Sequence, residues 1–413
     1  MRYRMFRLTL SAALVLSTAL GAVSTGRSAS AVEGDIIGSQ SVVVAEAFAG
    51  MEPDVTMPAG ILRTSDGRTL WSRDAQSERA MASTTKIMTA LVVLDRADPS
   101  ETVTVSARAA GVGEAEIDLM VGQTISVGEL LEATLVRSAN DGAYALAEHV
   151  GGSVEGFVAL MNEKAADLGL VHTSFANPHG LDAPGHYTSA EDLVTLATIA
   201  MADPRFVQMV SQSSVTVAGE YGLKRYDNSN RLLGTYEGAN GVKTGWTNKA
   251  GYCVVGSATR GEIGLIAVVL GTDDEKQRFD EASTLLDWGF EHYAMTQVAA
   301  AETTAVLIPV RDYLDRTVTA VVAEDASVPV FDLEGEVTTA IDYVQDVEAP
   351  VIAGQHLGTL TVVQGERLLA QVPLIADVAV ERPDTWSRVK IWFTRMWRSV
   401  FGGSLSATAV PLM

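Results

Sequence analysis

The sequence predicts a mixed α/β protein. A larger domain, an antiparallel sheet with flanking helices, precedes a small all-β domain and a C-terminal amphipathic helix. Three observations lead there. Strand-like runs at 241–246, 251–258 and 263–270 are hairpin neighbours, yet blocks of helical period surround them. Near Thr296 the helical pattern stops, and only short β-type runs follow until Asp384. Between Trp386 and Phe401, apolar and basic residues separate onto two faces.

The elements follow in chain order. Residues 1–31 read as a secretory signal: Arg2, Arg4 and Arg7 form a basic head, an apolar run follows from Leu8 to Leu20, and Ala29-Ser30-Ala31 offers small residues for cleavage. The run is short for a bilayer span, which disfavours the rival reading of an uncleaved anchor. No twin arginine is present, so export by the Sec route is expected. Residues 32–58 read as a lead-in, and 59–295 as the larger domain. Asp66-Gly67 between two apolar runs is a hairpin pattern. Residues 83–96 are apolar around most of a helix circumference, which predicts a buried helix. Residues 127–137 and 141–150 read as two helices with Ser138-Ala139-Asn140 in the loop between them. Helices are also expected at 190–202 and 280–293.

The all-β domain is expected at 296–383, with strands at 318–322, 337–344, 359–363 and 368–373 and a turn at Gln364-Gly365. The terminal helix at 384–401 gathers Trp386, Val389, Phe393, Met396, Trp397 and Val400 near one face. Arg388, Arg395 and Arg398 lie on the other, and Lys390 sits close to the apolar side. It is too short and too basic to span a bilayer, but suits one lying in the interface of an anionic membrane. The competing reading docks it on the protein's own core. Residues 402–413 read as a loose tail.

Composition narrows the function classes. The chain has 413 residues, 51 acidic and 30 basic, for a net charge of −21. Phosphate backbones would be repelled, so no nucleic-acid partner is expected. The balance suits an acidic extracellular body, with a saline habitat as one variant of that reading. Cys253 is the only cysteine and lies in an apolar run, the setting of a small buried hydrophobe rather than a catalytic thiol.

Three short motifs carry the chemistry. Ser83-Thr84-Thr85-Lys86 places a lysine three residues after a serine, on the same helix face. A serine attacks a carbonyl only once its proton is removed, and the lysine can be that base. A reference lysine pKa of about 10.4 is too high for this. Burial, a second cation such as Lys243 and the helix N-terminus would all lower it, so Lys86 is expected to be at least partly neutral. Ser138-Ala139-Asn140 supplies a hydroxyl that can relay a proton and an amide that can hold a peptide group. Lys243-Thr244-Gly245 puts a cation and a hydroxyl on a strand able to bind an extended peptide edge-on and to grip a terminal carboxylate. Each motif alone is weak. Ser387-Arg388-Val389-Lys390 repeats the first inside the basic terminal helix.

Order and context turn the three into a resemblance. Together with Asn177-Pro-His-Gly-Leu181 and the run from Gly241 to Tyr252, they resemble the active-site serine penicillin-recognising enzymes. Within these, residues 45–295 are most similar to the D-alanyl-D-alanine carboxypeptidases, low-molecular-mass penicillin-binding proteins, and the later β domain and helix fit the same layout. The resemblance implies a β-lactamase/DD-peptidase-like catalytic domain outside the bacterial cytoplasmic membrane, attached through residues 386–401. It implies that Ser83 is acylated by a peptidoglycan stem peptide ending in D-Ala-D-Ala, and that β-lactams trap the same serine. Lys86 would be the base and Ser138 the shuttle to the leaving amine. Asn140 would orient the peptide, Lys243 would give electrostatic support, and Thr244 would bind the terminal carboxylate. Beyond Gly245, the backbone N–H of Trp246 would join that of Ser83 in the oxyanion hole. No cofactor or metal is implied. The residue after the third motif varies in the family and borders the ligand, and here it is the bulky Trp246.

Rival readings stay on the same scaffold or leave it. A DD-endopeptidase would share every motif. A class A β-lactamase would need a Glu-x-x-Leu-Asn pattern before the third motif, and residues 151–240 have none. A metallo-carboxypeptidase would recruit His172, His179 and His186, but Pro178, Gly180, Pro184 and Gly185 break any helix there, leaving them as loop histidines shaping the site wall. A non-catalytic penicillin sensor would be expected to have lost Ser83, Lys86 or Lys243, and all three are present.

Overall fold

The computed structural model describes residues 3–9, 52–219, 221–404 and 407–412. Two compact units divide the chain: Glu52–Glu291, and His292–Met413 with the N-terminal segment.

The first unit is built on a five-stranded antiparallel sheet. Its order is Thr69–Arg73, Ala59–Thr64, Ile263–Thr272, Gly251–Arg260 and Ala239–Thr247. The middle strand is almost continuously apolar because helices cover the sheet, so it has no solvent face on which to alternate. Among the described residues Ala239–Thr247 is an edge strand, paired with Gly251–Arg260 in the register Lys243↔Val255. Helix α1 (Lys86–Arg96) is buried over nine consecutive residues and forms part of the main core. Helix α2 (Val127–Val136) starts in a full capping box between Ser126 and Glu129, and α3 (Asn140–Gly151) follows after a three-residue break.

Several expectations need correction. Ser83 does not open an α-helix. Residues Ala82–Thr85 form a 3-10 turn, and Lys86 is the first residue of α1. Hydroxyls of Thr84 and Thr85 donate to the carbonyls of Met81 and Ala82, which tightens the turn. The three-residue spacing still stacks serine and lysine, since a 3-10 turn brings i and i+3 together. Asn140 is not a loop residue but the first of α3. The last stretch of the lead-in is part of the fold: Glu281 accepts from the N–H groups of Thr56 and Met57, and Val55 and Met57 are buried. Helix Val154–Asp167 and the hairpin Ser214–Gly219 with Gly222–Asp227 were not anticipated.

The second unit holds a seven-stranded sheet ordered Tyr3–Thr9, Val337–Val344, His356–Gln364, Arg367–Ala376, Thr317–Val322, Thr304–Pro309 and Val410–Pro411. A separate pair joins Tyr293–Ala299 to Ala326–Phe331. Of the expected signal segment, residues 3–9 appear as that edge strand; residues 10–31 lie outside the described residues. The loose tail is corrected too. Val410 and Pro411 pair with Leu307 and Val306, and Leu412 N–H donates to the Ala305 carbonyl.

Helix Thr385–Phe401 is capped by Asp384 and buries no residue. Its half-covered positions are Ser387, Ile391, Thr394, Arg395 and Arg398, which share one face. Arg395 donates to the carbonyls of Arg311 and Tyr313, and Arg398 pairs with Asp315. The aromatic face, with Trp386 69% and Trp397 64% exposed, is left open. Among the described residues no single helix is long and apolar enough to cross a membrane.

Candidate active site

All three motifs converge on Lys86. Its side chain is wholly buried; its Nζ donates to Asn140 Oδ1 at 2.7 Å and the His179 carbonyl at 2.6 Å, and lies 3.1 Å from Ser83 Oγ, where the lone pair of the neutral amine can accept the serine proton. Burial is the main force lowering its pKa well below the ordinary lysine value, and nearby Lys243 adds to it. Asp141 and Glu114 oppose the shift. An ammonium here would carry a large desolvation cost, so the amine is poised to accept a proton.

The backbone around Ser83 is held from two sides. Ala82 has φ +48°, a left-handed conformation unusual for a side chain with a Cβ. Gly180, at φ +97°, lies so close that a Cβ there would meet the Ala82 carbonyl oxygen at 2.0 Å. Gly245 presses from the strand, where a Cβ would meet Ser83 N at 2.9 Å. That approach explains why the third motif ends in glycine. Asn177 fixes the Gly180 turn by accepting from the His179 and Gly180 N–H groups and donating to the Leu181 carbonyl.

Ser138 also sits in the left-handed region, at φ +71°, and is buried. Strain of this kind persists only where neighbours enforce it. Just beyond Ser138, at the start of α3, Asn140 donates to the Gly113 carbonyl, while Asp141 accepts from the N–H groups of Ile117, Leu119 and Gly142. The loop 113–119 is thereby tied across the start of α3.

On the edge strand, Lys243 is buried and donates to the Thr244 carbonyl at 3.1 Å. Burial and then Arg278 push its pKa down to about 7. Thr244 Oγ1 lies 2.7 Å from Ser229 Oγ. Trp246 is 48% exposed and tilts against Tyr252, its cross-strand partner, with ring centroids 5.8 Å apart.

The loop histidines do not form a metal cluster. His186 accepts from Ala176 N–H at Nδ1, so its Nε2–H faces Thr85 Oγ1 at 2.8 Å. Burial above all holds it neutral, with a pKa of about 4. His179 contributes its carbonyl to Lys86 and stacks its ring on Tyr144. His172 stands apart, beside Glu78.

Sequence reasoning missed Arg278 and Ser229. Arg278 is buried, donates to the Gly245 carbonyl at 3.1 Å, pairs with Glu275 and covers the Tyr252 ring. Arg278 lay before the helix expected at 280–293; the helix in fact begins at Glu275, and a lone arginine in its first turn carries no pattern to mark it. Ser229 lay in a stretch without periodicity, although Asn228-Ser229-Asn230 is dense in turn-forming residues.

Comparisons with known proteins agree with this geometry. Residues 50–274 match the family model described as D-alanyl-D-alanine carboxypeptidase, and residues 293–382 match that of the penicillin-binding protein 5 C-terminal domain. The chain is 32% identical over 335 residues to the D-alanyl-D-alanine carboxypeptidase DacF of Bacillus subtilis, covering 77% of this chain and 84% of that protein. The DD-transpeptidase of Streptomyces K15 superimposes with a TM-score of 0.56 at 32% identity, covering 58% of this chain and 99% of that one. The DacD carboxypeptidase of Francisella tularensis, at 24% identity and a TM-score of 0.60, covers 81% of this chain and 96% of its own, and shows the shared fold. With its mixed α/β catalytic unit, its three motifs around Lys86 and its following β domain, the chain belongs to the D-alanyl-D-alanine carboxypeptidase family.

Proposed function

We propose that this protein removes the terminal D-alanine from peptidoglycan stem peptides ending in D-Ala-D-Ala, through an acyl-enzyme on Ser83. One observation carries the reading: a buried, pKa-lowered Lys86 amine in hydrogen-bond contact with Ser83 Oγ and Asn140. Lys86 takes the Ser83 proton as Oγ bonds to the penultimate carbonyl carbon. The developing oxyanion sits between the N–H groups of Ser83 and Trp246. As the carbon–nitrogen bond breaks, Ser138 passes a proton to the leaving amine. Water then cleaves the ester, and its second proton returns the serine to its resting state. Asn140 holds the peptide, Thr244 grips the terminal carboxylate, and Lys243 supplies positive charge beside it. β-Lactams enter by the same first step and remain on Ser83.

The family works on the cell wall, which supports a location outside the cytoplasm. Export by the Sec route, a signal at residues 1–31 and peripheral attachment through residues 386–401 complete the proposal. The open aromatic face of the last helix supports the attachment. Residues 59–295 form the catalytic domain in this reading.

The likeness to a DD-transpeptidase favours a second outcome for the same acyl-enzyme, transfer to an amine instead of water. The test is D-alanine release from a pentapeptide ending in D-Ala-D-Ala, with and without an added acceptor amine. Release that survives Ser83→Ala would remove the serine mechanism. Deleting residues 385–413 should free the protein from anionic vesicles without changing turnover of a soluble peptide, and a truncated protein that stayed bound would overturn the attachment.

A further inference from the structure

Ser229 lies outside the three motifs, yet the fold brings it to the point where two of them meet. Its Oγ is 2.7 Å from Thr244 Oγ1. Its backbone N–H donates to the Val136 carbonyl at 3.3 Å, at the end of α2 and two residues before Ser138. Both neighbours are pinned. Asn228 donates to the carbonyls of Val210 and Gln212, and its Oδ1 accepts from Asn230 N–H. Asn230 donates to the Gly241 carbonyl on the edge strand. The loop therefore has little freedom, and the one side chain it directs at the third motif is a hydroxyl.

A hydroxyl holds one proton, and a threonine that grips an anion must point that proton outward. A second hydroxyl donating to its oxygen fixes this orientation and polarises the O–H bond, since chained hydrogen bonds strengthen one another. We infer that Ser229 is a positioning residue for the substrate's terminal carboxylate: it donates to Thr244 Oγ1, so that the Thr244 proton is presented to the anion. This rests on the reading of Thr244 as the carboxylate-binding residue. The ligand class is a peptide or β-lactam with a free carboxylate.

The experiment measures D-alanine release from a D-Ala-D-Ala pentapeptide by full-length protein. Ser229→Ala should raise KM about fivefold, the loss of one hydrogen bond, with kcat changed by no more than about twofold. Ser229→Thr should restore KM. The ratio of acylation rates for benzylpenicillin and its methyl ester should narrow in Ser229→Ala, because only the acid uses the hydroxyl pair. In the double variant with Thr244→Ala, KM should match that of Thr244→Ala alone. Should Ser229→Ala fold poorly, Ser229→Cys keeps the volume, replaces the donor by a weak one and is read the same way. Unchanged KM in Ser229→Ala, or additive effects in the double variant, would overturn the inference while wild-type release leaves the main function standing. Absent wild-type release would instead remove that function.

Discussion

The same four-residue spacing occurs twice in this chain, and the two copies have opposite chemistry. Ser83 and Lys86 stack across a buried 3-10 turn, where the lysine meets a hydroxyl, an amide oxygen and a carbonyl but no water-facing surface. Ser387 and Lys390 stack across the first turn of an exposed helix. There Ser387 serves the Asp384 cap through its N–H and hydroxyl, and Lys390 reaches over the Trp386 ring. Spacing supplies proximity in both. Only the first surroundings disfavour the ammonium, and that separates a base from a surface charge.

The comparison can be broken most directly at the lysines. Lys86→Ala should lower acylation by a penicillin about 10⁴-fold, as expected for loss of a group that acts as a unit with its nucleophile, whereas Lys390→Ala should leave the acylation rate within twofold of wild type. Equal effects, measured by stopped-flow labelling, would mean that burial does not distinguish the two. Gly245→Ala comes next. Its Cβ must displace the Ser83 backbone N, 2.9 Å away, and a shift of that kind should slow acylation about 100-fold with near-native circular dichroism. Native rates in that variant would show that the edge strand does not set the oxyanion hole.

Smaller effects refine the electrostatic side. Lys243, pushed down to about 7, loses charge in the free protein as pH rises through that value. Affinity for a free-carboxylate peptide should therefore weaken several-fold above neutrality. Lys243→Arg, whose guanidinium stays charged, should flatten that limb. A KM profile that stayed the same in Lys243→Arg would take the charge of Lys243 out of recognition. The smallest expected change is at the exposed helix: Trp397→Ser should reduce partition onto anionic vesicles a few-fold and leave turnover alone.

Legibility in the sequence followed the same divide between local and tertiary information. The sheet strands around Lys243 and the hairpin at Asp66-Gly67 were readable because apolar periodicity and turn residues are local. Lys86 was readable as a base because a charged residue in an apolar helix is itself an anomaly. The 3-10 turn was not, since it depends on Gly180 crowding Ala82 from far along the chain. Arg278 and Ser229 were invisible for a related reason: their meaning lies in the Gly245 carbonyl and the Thr244 hydroxyl, partners that only folding supplies. The strand Val410–Pro411 was hidden in an apparent tail because so short a run has no period of its own.

The two buried lysines also set how the protein trades protons with its surroundings. Lys243 has a folded-state pKa of about 7 against an ordinary value of 10.5, so between those values the unfolded chain holds the proton that the folded one has released. Stability should climb with pH across that window and be lowest below it, with Lys86 pulling in the same direction. An anion seated beside Lys243 reverses the balance by drawing its pKa upward. Binding of a carboxylate ligand near pH 8 should then take up protons from the medium, and its calorimetric heat should vary with the ionisation enthalpy of the buffer.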